Sequence, residues 1–262
     1  MTTDKDFLWL NLRDLPYFRA MLRAVEAQFY QQFELPAPTL DVGCGDGHFG
    51  KITFDRRLEV GLDPWAGPIH QAAHNDGYRS LVQADGGRMP FPDGHFASAI
   101  SNSVLEHIPQ VQKVLVDLRR VLKPDAQFLF CVPNPRYLSE LSVAGFLTRV
   151  RLAGAGRAYT RWFQRMSRVE HAVWPEEWQK WLEDAGFSLE RYWHYFSPQA
   201  MHTLEWGHYF GAPTLLPHWL SKKWIIAPWR WNLFLTERFV RKHAIAQSDP
   251  QGTFTFYVAR SV

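Results

Sequence analysis

The chain has 262 residues, 46% of them apolar and 21% charged, and a formal net charge of +3. This length and balance suit one large globular α/β domain, or such a core carrying insertions, and no apolar run reaches the roughly 18 residues of a membrane span. Two cysteines, Cys44 and Cys131, stand far apart without C-x-x-C spacing, which argues against a disulfide framework or a metal centre and for two buried thiols.

The opening "MTTDKDFLWLNLRDLPYF" carries acids where a signal peptide would be basic, so the expected location is cytoplasmic. It is a helical stretch in which Tyr17 either contacts a ligand or packs into the core. Short apolar runs predict strands at 39–42, 58–62, 80–84, 96–101 and 126–132. A helix is expected to begin near Gly47. Over 110–124, Val111, Val114, Leu115, Leu118 and Leu122 form a 3.6-period stripe that ends at Pro124. Over 175–187, Pro175 sits in the first turn, Glu176 and Glu177 lie near the positive end of the helix dipole, and Gly186 closes the helix. The alternating "GTFTFYVAR" (252–260) predicts a late antiparallel edge strand. Strands alternating with helices imply a doubly wound, Rossmann-like, mostly parallel sheet with an antiparallel last strand, in a single domain over 1–262.

The richest segment is "TLDVGCGDGHFG" (39–50), with Gly43, Gly45, Gly47 and Gly50 between the first strand and a helix. Glycine is required where φ is positive or where a ligand approaches the backbone, and a helix start offers unpaired N–H groups. Gly45, Gly47 and Gly50 also satisfy G-x-G-x-x-G, a weak signal of dinucleotide binding on its own. Charge separates the readings: Asp41 and Asp46 would repel a pyrophosphate but attract a ligand carrying an ammonium and a sulfonium, as S-adenosylmethionine does.

With these residues the segment resembles motif I of the class I SAM-dependent methyltransferases, in particular the small-molecule, ubiquinone/menaquinone-methyltransferase-like type. Three further segments keep the family's order over roughly 37–135. "GLDPW" places Asp63 where the family's acid binds the ribose hydroxyls. "QADGGRMPFPDGHF" places Asp85 and Gly86 where adenine is held. "SNSVLEHI", with Asn102, matches the step from sheet to helix beside the cofactor's methionine end. The resemblance implies S-adenosylmethionine as cofactor, held by Asp41, Gly43, Gly45, Gly47, Asp63, Asp85, Gly86 and Asn102. Asp63 also reads as a helix cap, Asp85 as a turn residue, Asp41 as a brace for the loop's own N–H groups and Cys44 as a small space-filler.

Methyl transfer from a sulfonium is an in-line displacement of an already activated carrier, so alignment and exclusion of water matter most. For a hydroxyl or phenol acceptor a general base helps; His107 in "LEHI" is the candidate catalytic residue, or else pins the helix start, and His171 in "VEHAVW" is a second candidate.

Two insertions depart from a minimal core. Residues 135–170 hold seven arginines and two acids, and residues 196–250 hold six Lys or Arg and three acids; together they carry +8 and leave −5 elsewhere. Arg157, Arg161, Arg165 and Arg168 form one helical stripe beside Trp162, Phe163 and Met166. Trp206, Trp219, Trp224, Trp229 and Trp231 accompany Lys222, Lys223 and Arg230. This mixture predicts either a lid whose aromatics line an acceptor pocket or a peripheral contact with the inner face of a membrane. Both readings favour a hydrophobic, amphipathic or lipid-linked acceptor. A nucleic-acid methyltransferase is the alternative raised by the basic charge, against which "SNSV" stands where an N/D-P-P-Y/F signature would be. A non-catalytic SAM-binding protein is the third reading.

Overall fold

A computed structural model describes residues 5–211, 215, 219 and 223–262. The sheet has seven strands: β1 (Thr39–Val42), β2 (Leu58–Asp63), β3 (Tyr78–Gln83), β4 (Phe96–Asn102), β5 (Leu122–Pro133), β6 (Phe187–Tyr195) and β7 (Phe254–Ser261). Their spatial order is β3-β2-β1-β4-β5-β7-β6. The first five pair in parallel, and β7 runs antiparallel to both β5 and β6. The carboxyl ends of β1 to β5 therefore share one edge, which is where such sheets bind ligands.

Two expectations need correction. The 252–260 segment is antiparallel, but it lies inside the sheet between β5 and β6, and its residues are almost all buried. The edge belongs to β6, of which only Phe187 falls within a predicted element, the end of the 175–187 helix. Its Glu190, Arg191 and His194 give it the polar, half-exposed character of an edge strand, which hides it from an apolar-run search. The helix predicted through residue 124 stops at Val121, because Leu122 is already extended and pairs with Phe96 on β4.

Helices cover both faces. On one, α5 (Val111–Val121) and α9 (Pro175–Asp184) bury Leu115, Leu118 and Trp178 against Phe128 and Phe130. On the other, α1 (Phe7–Leu12) and α2 (Tyr17–Tyr30) bury Met21, Ala24 and Tyr30 beside Phe256, along with α3 (His48–Thr53), while α4 (Ala66–Ala72) joins β2 to β3. The position of α2 is fixed by one charge: the fully buried Glu26 carboxylate accepts from Asn102 Nδ2 at 2.8 Å, Ser103 Oγ at 2.8 Å and Tyr195 Oη at 3.1 Å. This ties the helix across the carboxyl ends of β4 and β6, and the three donors offset part of the desolvation, burial still raising the pKa of this carboxyl.

Residues 135–170 fold as α6 (Arg136–Ser139), α7 (Ser142–Arg149) and α8 (Ala153–Ser167). Residues 196–250 include α10 (Pro198–Phe210) and α11 (Arg230–Val240). A second buried carboxylate joins the two segments. Glu205 of α10 accepts from Ser142 N and Oγ, both at 2.6 Å, and from Tyr159 Oη at 2.7 Å, so it also caps α7.

Candidate functional site

The chain leaves β1 through three left-handed glycines, Gly43 (φ +81°), Gly45 (φ +56°) and Gly47 (φ +76°). A Cβ at Gly43 would stand 2.3 Å from Val104 Cγ1, so glycine lets the turn after β4 pack directly on the loop. Above Gly45 nothing lies within 4 Å of where a Cβ would be: the loop's outer side is bare backbone facing open space, as a closely approaching ligand needs. Gly43 N and Cys44 N both donate to Leu62 O, at 2.7 and 3.0 Å, and Gly45 N donates to Asp63 Oδ2 at 3.1 Å. Asp63 Oδ1 accepts from Trp65 N at 3.0 Å, so this carboxylate braces the loop and starts the following turn.

Asp41 lies beneath the loop, buried, with Tyr78 Oη donating to it at 2.5 Å; burial pushes its pKa up to about 7 despite that bond and the nearby Arg23. Asp46 accepts from His48 N at 3.1 Å, and His48 Nε2 contacts Asp14 Oδ2 at 3.2 Å, linking the α1–α2 turn to the loop. At the end of β3, Asp85 is exposed and accepts from Gly87 N at 2.8 Å, with Gly86 buried beside it. Asp41, Gly43, Gly45, Gly47, Asp63, Asp85 and Gly86 thus line up along the carboxyl ends of three adjacent parallel strands. Cys44 is buried, its Sγ occupying the space that a Cβ on Gly61 would enter.

Next to this seat, beyond the end of β4, opens a cavity of about 460 Å³. Its polar wall is Arg19, Arg23 and Glu26 from α2 together with Ser103, Glu106 and His107 from the β4 exit. The apolar wall includes Tyr137 and Met166 from the first inserted segment and Leu204 and Trp224 from the second. His107 Nδ1–H donates to the Arg168 carbonyl at 2.8 Å, which leaves Nε2 as the acceptor nitrogen. Burial holds its pKa below the ordinary histidine value. Glu106, 3% exposed, has Oε1 at 3.7 Å from His107 Nε2, while its Oε2 has no partner among the described residues; burial pushes this carboxyl up to about 8.

Asn102 departs from its expected role. Its amide donates to Glu26 and accepts from Cys131 Sγ at 3.1 Å, so the side chain serves the α2 joint rather than the open cleft. His171 is likewise committed, Nε2–H donating to Ile108 O at 3.0 Å with its ring against Trp181, and it does not line the cavity. Tyr17 packs edge-on to Phe239. In the Arg stripe, Arg157, Arg161 and Arg165 are exposed on α8, but Arg168 turns left-handed (φ +56°) and leaves the helix. Lys222 lies outside the described residues. Sequence reasoning missed Arg19, Arg23 and Glu26; their helical spacing, which puts all three on one face of an otherwise apolar helix, was the available signal. It also passed over Glu106, next to the histidine it chose.

A bare glycine turn thus stands beside acids at the carboxyl ends of β1, β2 and β3 of a doubly wound α/β sheet. Residues 40–130 match the family described as methyltransferase domain. The malonyl-[acyl-carrier protein] O-methyltransferase of Legionella pneumophila is 31% identical over 115 residues, 42% of this chain and 40% of that protein. The fatty-acid O-methyltransferase of Mycolicibacterium smegmatis is 35% identical over 104 residues, 37% of this chain and 38% of that protein. The chain thus spans about two fifths of the length of these curated relatives. Among solved structures, geranyl diphosphate C-methyltransferase from Streptomyces coelicolor A3(2), in complex with Mg2+, geranyl diphosphate and S-adenosyl-L-homocysteine, shares the fold with a TM-score of 0.56 at 14% identity, covering 94% of this chain and 82% of that one. Over residues 40–130 the chain is thus similar to a methyltransferase domain, and it shares the fold of enzymes that use S-adenosylmethionine as cofactor.

The residues present fit that cofactor, because the open side of Gly45 gives backbone access and Asp63 retains lone pairs beside it. Replacing Asp63 with Ala removes a charged acceptor worth about 2 kcal/mol, so S-adenosylhomocysteine affinity measured by calorimetry is expected to fall roughly thirty-fold with the far-UV spectrum unchanged. Unchanged affinity would remove Asp63 from the ribose role.

Proposed function

We propose that this protein transfers the methyl group of S-adenosylmethionine to a hydrophobic or amphipathic small-molecule or lipid-linked acceptor, with the 135–170 and 196–250 segments serving as lid and acceptor wall. The observation that carries the reading is the cavity of about 460 Å³, set against the ends of β4 and β5 and walled by apolar side chains from both segments. The names of the relatives that act on malonyl-[acyl-carrier protein] and fatty acids support an acyl-type acceptor.

When bound, the cofactor supplies a methyl group already activated by its sulfonium. The protein's part is to seat the nucleoside with Asp41, Gly43, Gly45, Gly47, Asp63, Asp85 and Gly86, to exclude water with the apolar wall, and to take a proton where the acceptor has one to lose. His107 has the geometry for that last role: its Nδ1–H is fixed on a backbone carbonyl, so Nε2 presents a lone pair at the cavity. Its lowered pKa keeps it neutral, and so competent as a base, at neutral pH.

Wild-type protein incubated with labelled cofactor and a lipid and metabolite extract is expected to form S-adenosylhomocysteine only when extract is present, with the product identified by mass. Tight cofactor binding without turnover on any fraction would instead favour a non-catalytic role. With the acceptor in hand, His107→Gln is expected to lower kcat by at least about a hundred-fold while cofactor affinity stays the same. For the wild type, the rate should hold through neutral pH and fall only below the ordinary histidine range, since the group whose pKa is depressed must lose its proton to act.

The exposed faces of the inserted segments support contact with an anionic membrane surface. On α11 and the residue before it, Trp229, Trp231 (75% exposed), Phe234 and Leu235 (76% exposed) project together, with Arg230 and Arg238 also exposed; on α8, Arg157, Arg161 and Arg165 accompany Trp162. Aromatics entering the headgroup region while cations meet anionic lipid is the pattern of peripheral binding. Among the described residues no helix is long and apolar enough to cross a membrane. Co-sedimentation with vesicles containing phosphatidylserine is expected, weakened by salt and by the Trp231→Ser, Leu235→Ser double variant, and absent with neutral vesicles; equal binding to neutral and anionic vesicles would overturn the electrostatic part.

A further inference from the structure

We propose that Arg168 is a positioning residue for His107: its left-handed main chain aims a carbonyl at Nδ1, so that the orientation and tautomer of the ring depend on how the first inserted segment is seated. The proposal rests on the reading of His107 as the general base and adds what sets that base in place.

Helix α8 ends at Ser167, and Arg168 follows at φ +56° and ψ +30°. A residue with a Cβ is disfavoured there, and glycine is the usual occupant of a left-handed position at the end of a helix. The Arg168 side chain is exposed, and it is the main chain that the turn employs. Its N–H closes the helix on Arg165 O at 3.2 Å, and its carbonyl accepts from His107 Nδ1–H at 2.8 Å. Left-handed non-glycine residues persist where the surrounding contacts over-determine them, and such places cluster at functional sites.

The contacts that hold this turn fall on the residues around His107. Glu170 N and His171 N both donate to Glu106 O, at 2.8 and 3.0 Å, and His171 Nε2–H donates to Ile108 O at 3.0 Å. Glu106, His107 and Ile108 are therefore each bonded to the 168–171 stretch, the first and third through their carbonyls and the second through its ring. His171, which does not line the cavity, acts here as a clasp. Met166, Ser167 and Val169 do line it, so an acceptor in the cavity would press on the same stretch that carries the Arg168 carbonyl. Which imidazole nitrogen bears the proton is set by the partner of the other one. With Nδ1–H on the carbonyl, Nε2 keeps the lone pair that faces the cavity; a ring released from it favours the proton on Nε2 and has no lone pair there to offer an acceptor's proton.

Long-range 1H–15N spectra of the full chain, labelled in histidine and recorded at neutral pH, read the tautomer, with the His107 signals identified by their absence in His107→Gln. The wild type is expected to be protonated on Nδ1 and bare on Nε2. In Arg168→Pro, where φ is locked near −65° and the left-handed turn is forbidden, His107 is expected to shift toward the Nε2–H form. Turnover on the lipid and metabolite extract should then fall by at least about ten-fold, with S-adenosylhomocysteine affinity unchanged. Arg168→Gly, which adopts positive φ freely and keeps the carbonyl, is expected to show the wild-type tautomer and to retain most of the turnover that the proline variant loses. If the proline variant does not fold, Arg168→Ile takes its place, since it keeps the N–H while disfavouring positive φ. A wild-type ring protonated on Nε2, a wild-type tautomer in the proline or isoleucine variant, or a glycine variant as impaired as those two would overturn the proposal. A tautomer that shifts while turnover stays at the wild-type rate overturns His107 as the base and leaves the positioning role standing. A wild type without turnover on the extract overturns the methyltransferase reading, and the spectra still decide the role of the turn.

Discussion

Everything in this molecule is arranged around the need for the chain to leave β1 without side chains. Gly43 has no room for a Cβ against Val104, and Gly45 has nothing above it. One glycine brings the β4 exit into contact with the loop, and the next leaves the opposite side open. Because the Asp63 carboxylate and the Leu62 carbonyl hold the loop's N–H groups, β2 sets the height of a turn that belongs to β1. The contact of the loop with the β4 exit and the open backbone on its other side are thus consequences of Gly43 and Gly45.

Charge divides the cleft. On the nucleoside side, Asp41 is buried, raised to about 7 and held by Tyr78, so approach of a cation favours its ionised form. In the cavity beyond β4, Glu26 is committed to three donors, whereas Glu106 Oε2, beside His107, meets no partner among the described residues. These two carboxylates have similar burial and different work, and the difference is the number of donors each one meets. Glu205 repeats the logic farther out, where a buried charge holds one inserted segment to the other.

Much of this was legible in the sequence. The parallel strands were marked by short apolar runs because both of their faces are covered, and the glycine turn and Asp63 declared themselves by spacing. The edge strand β6 did not, because a strand with one free edge carries charges that interrupt an apolar run. β7 was found but misplaced: alternation reports that a segment is a strand and says nothing about which neighbours it has. Asn102 shows a further limit. Its amide is taken by Glu26, a residue 76 positions earlier, and no pattern within the motif itself reveals that pairing. His107 and His171 were equal as letters and are separated only by what their nitrogens touch: the first keeps one free toward the cavity, the second has turned its ring to Ile108 and Trp181.

The second inserted segment leaves the sheet at Tyr195 and returns at Phe254, and these two residues are paired across neighbouring antiparallel strands. A long excursion whose ends are already fastened side by side costs little more to close when it grows or shrinks, since the entropy of closure rises only with the logarithm of length. The 196–250 segment, proposed above as an acceptor wall, can therefore be rewritten, by exchange of whole stretches of chain, without disturbing the register of the sheet beneath the glycine turn. Divergence in what is methylated would be inexpensive in this architecture, whereas divergence in the donor would require rebuilding the sheet itself.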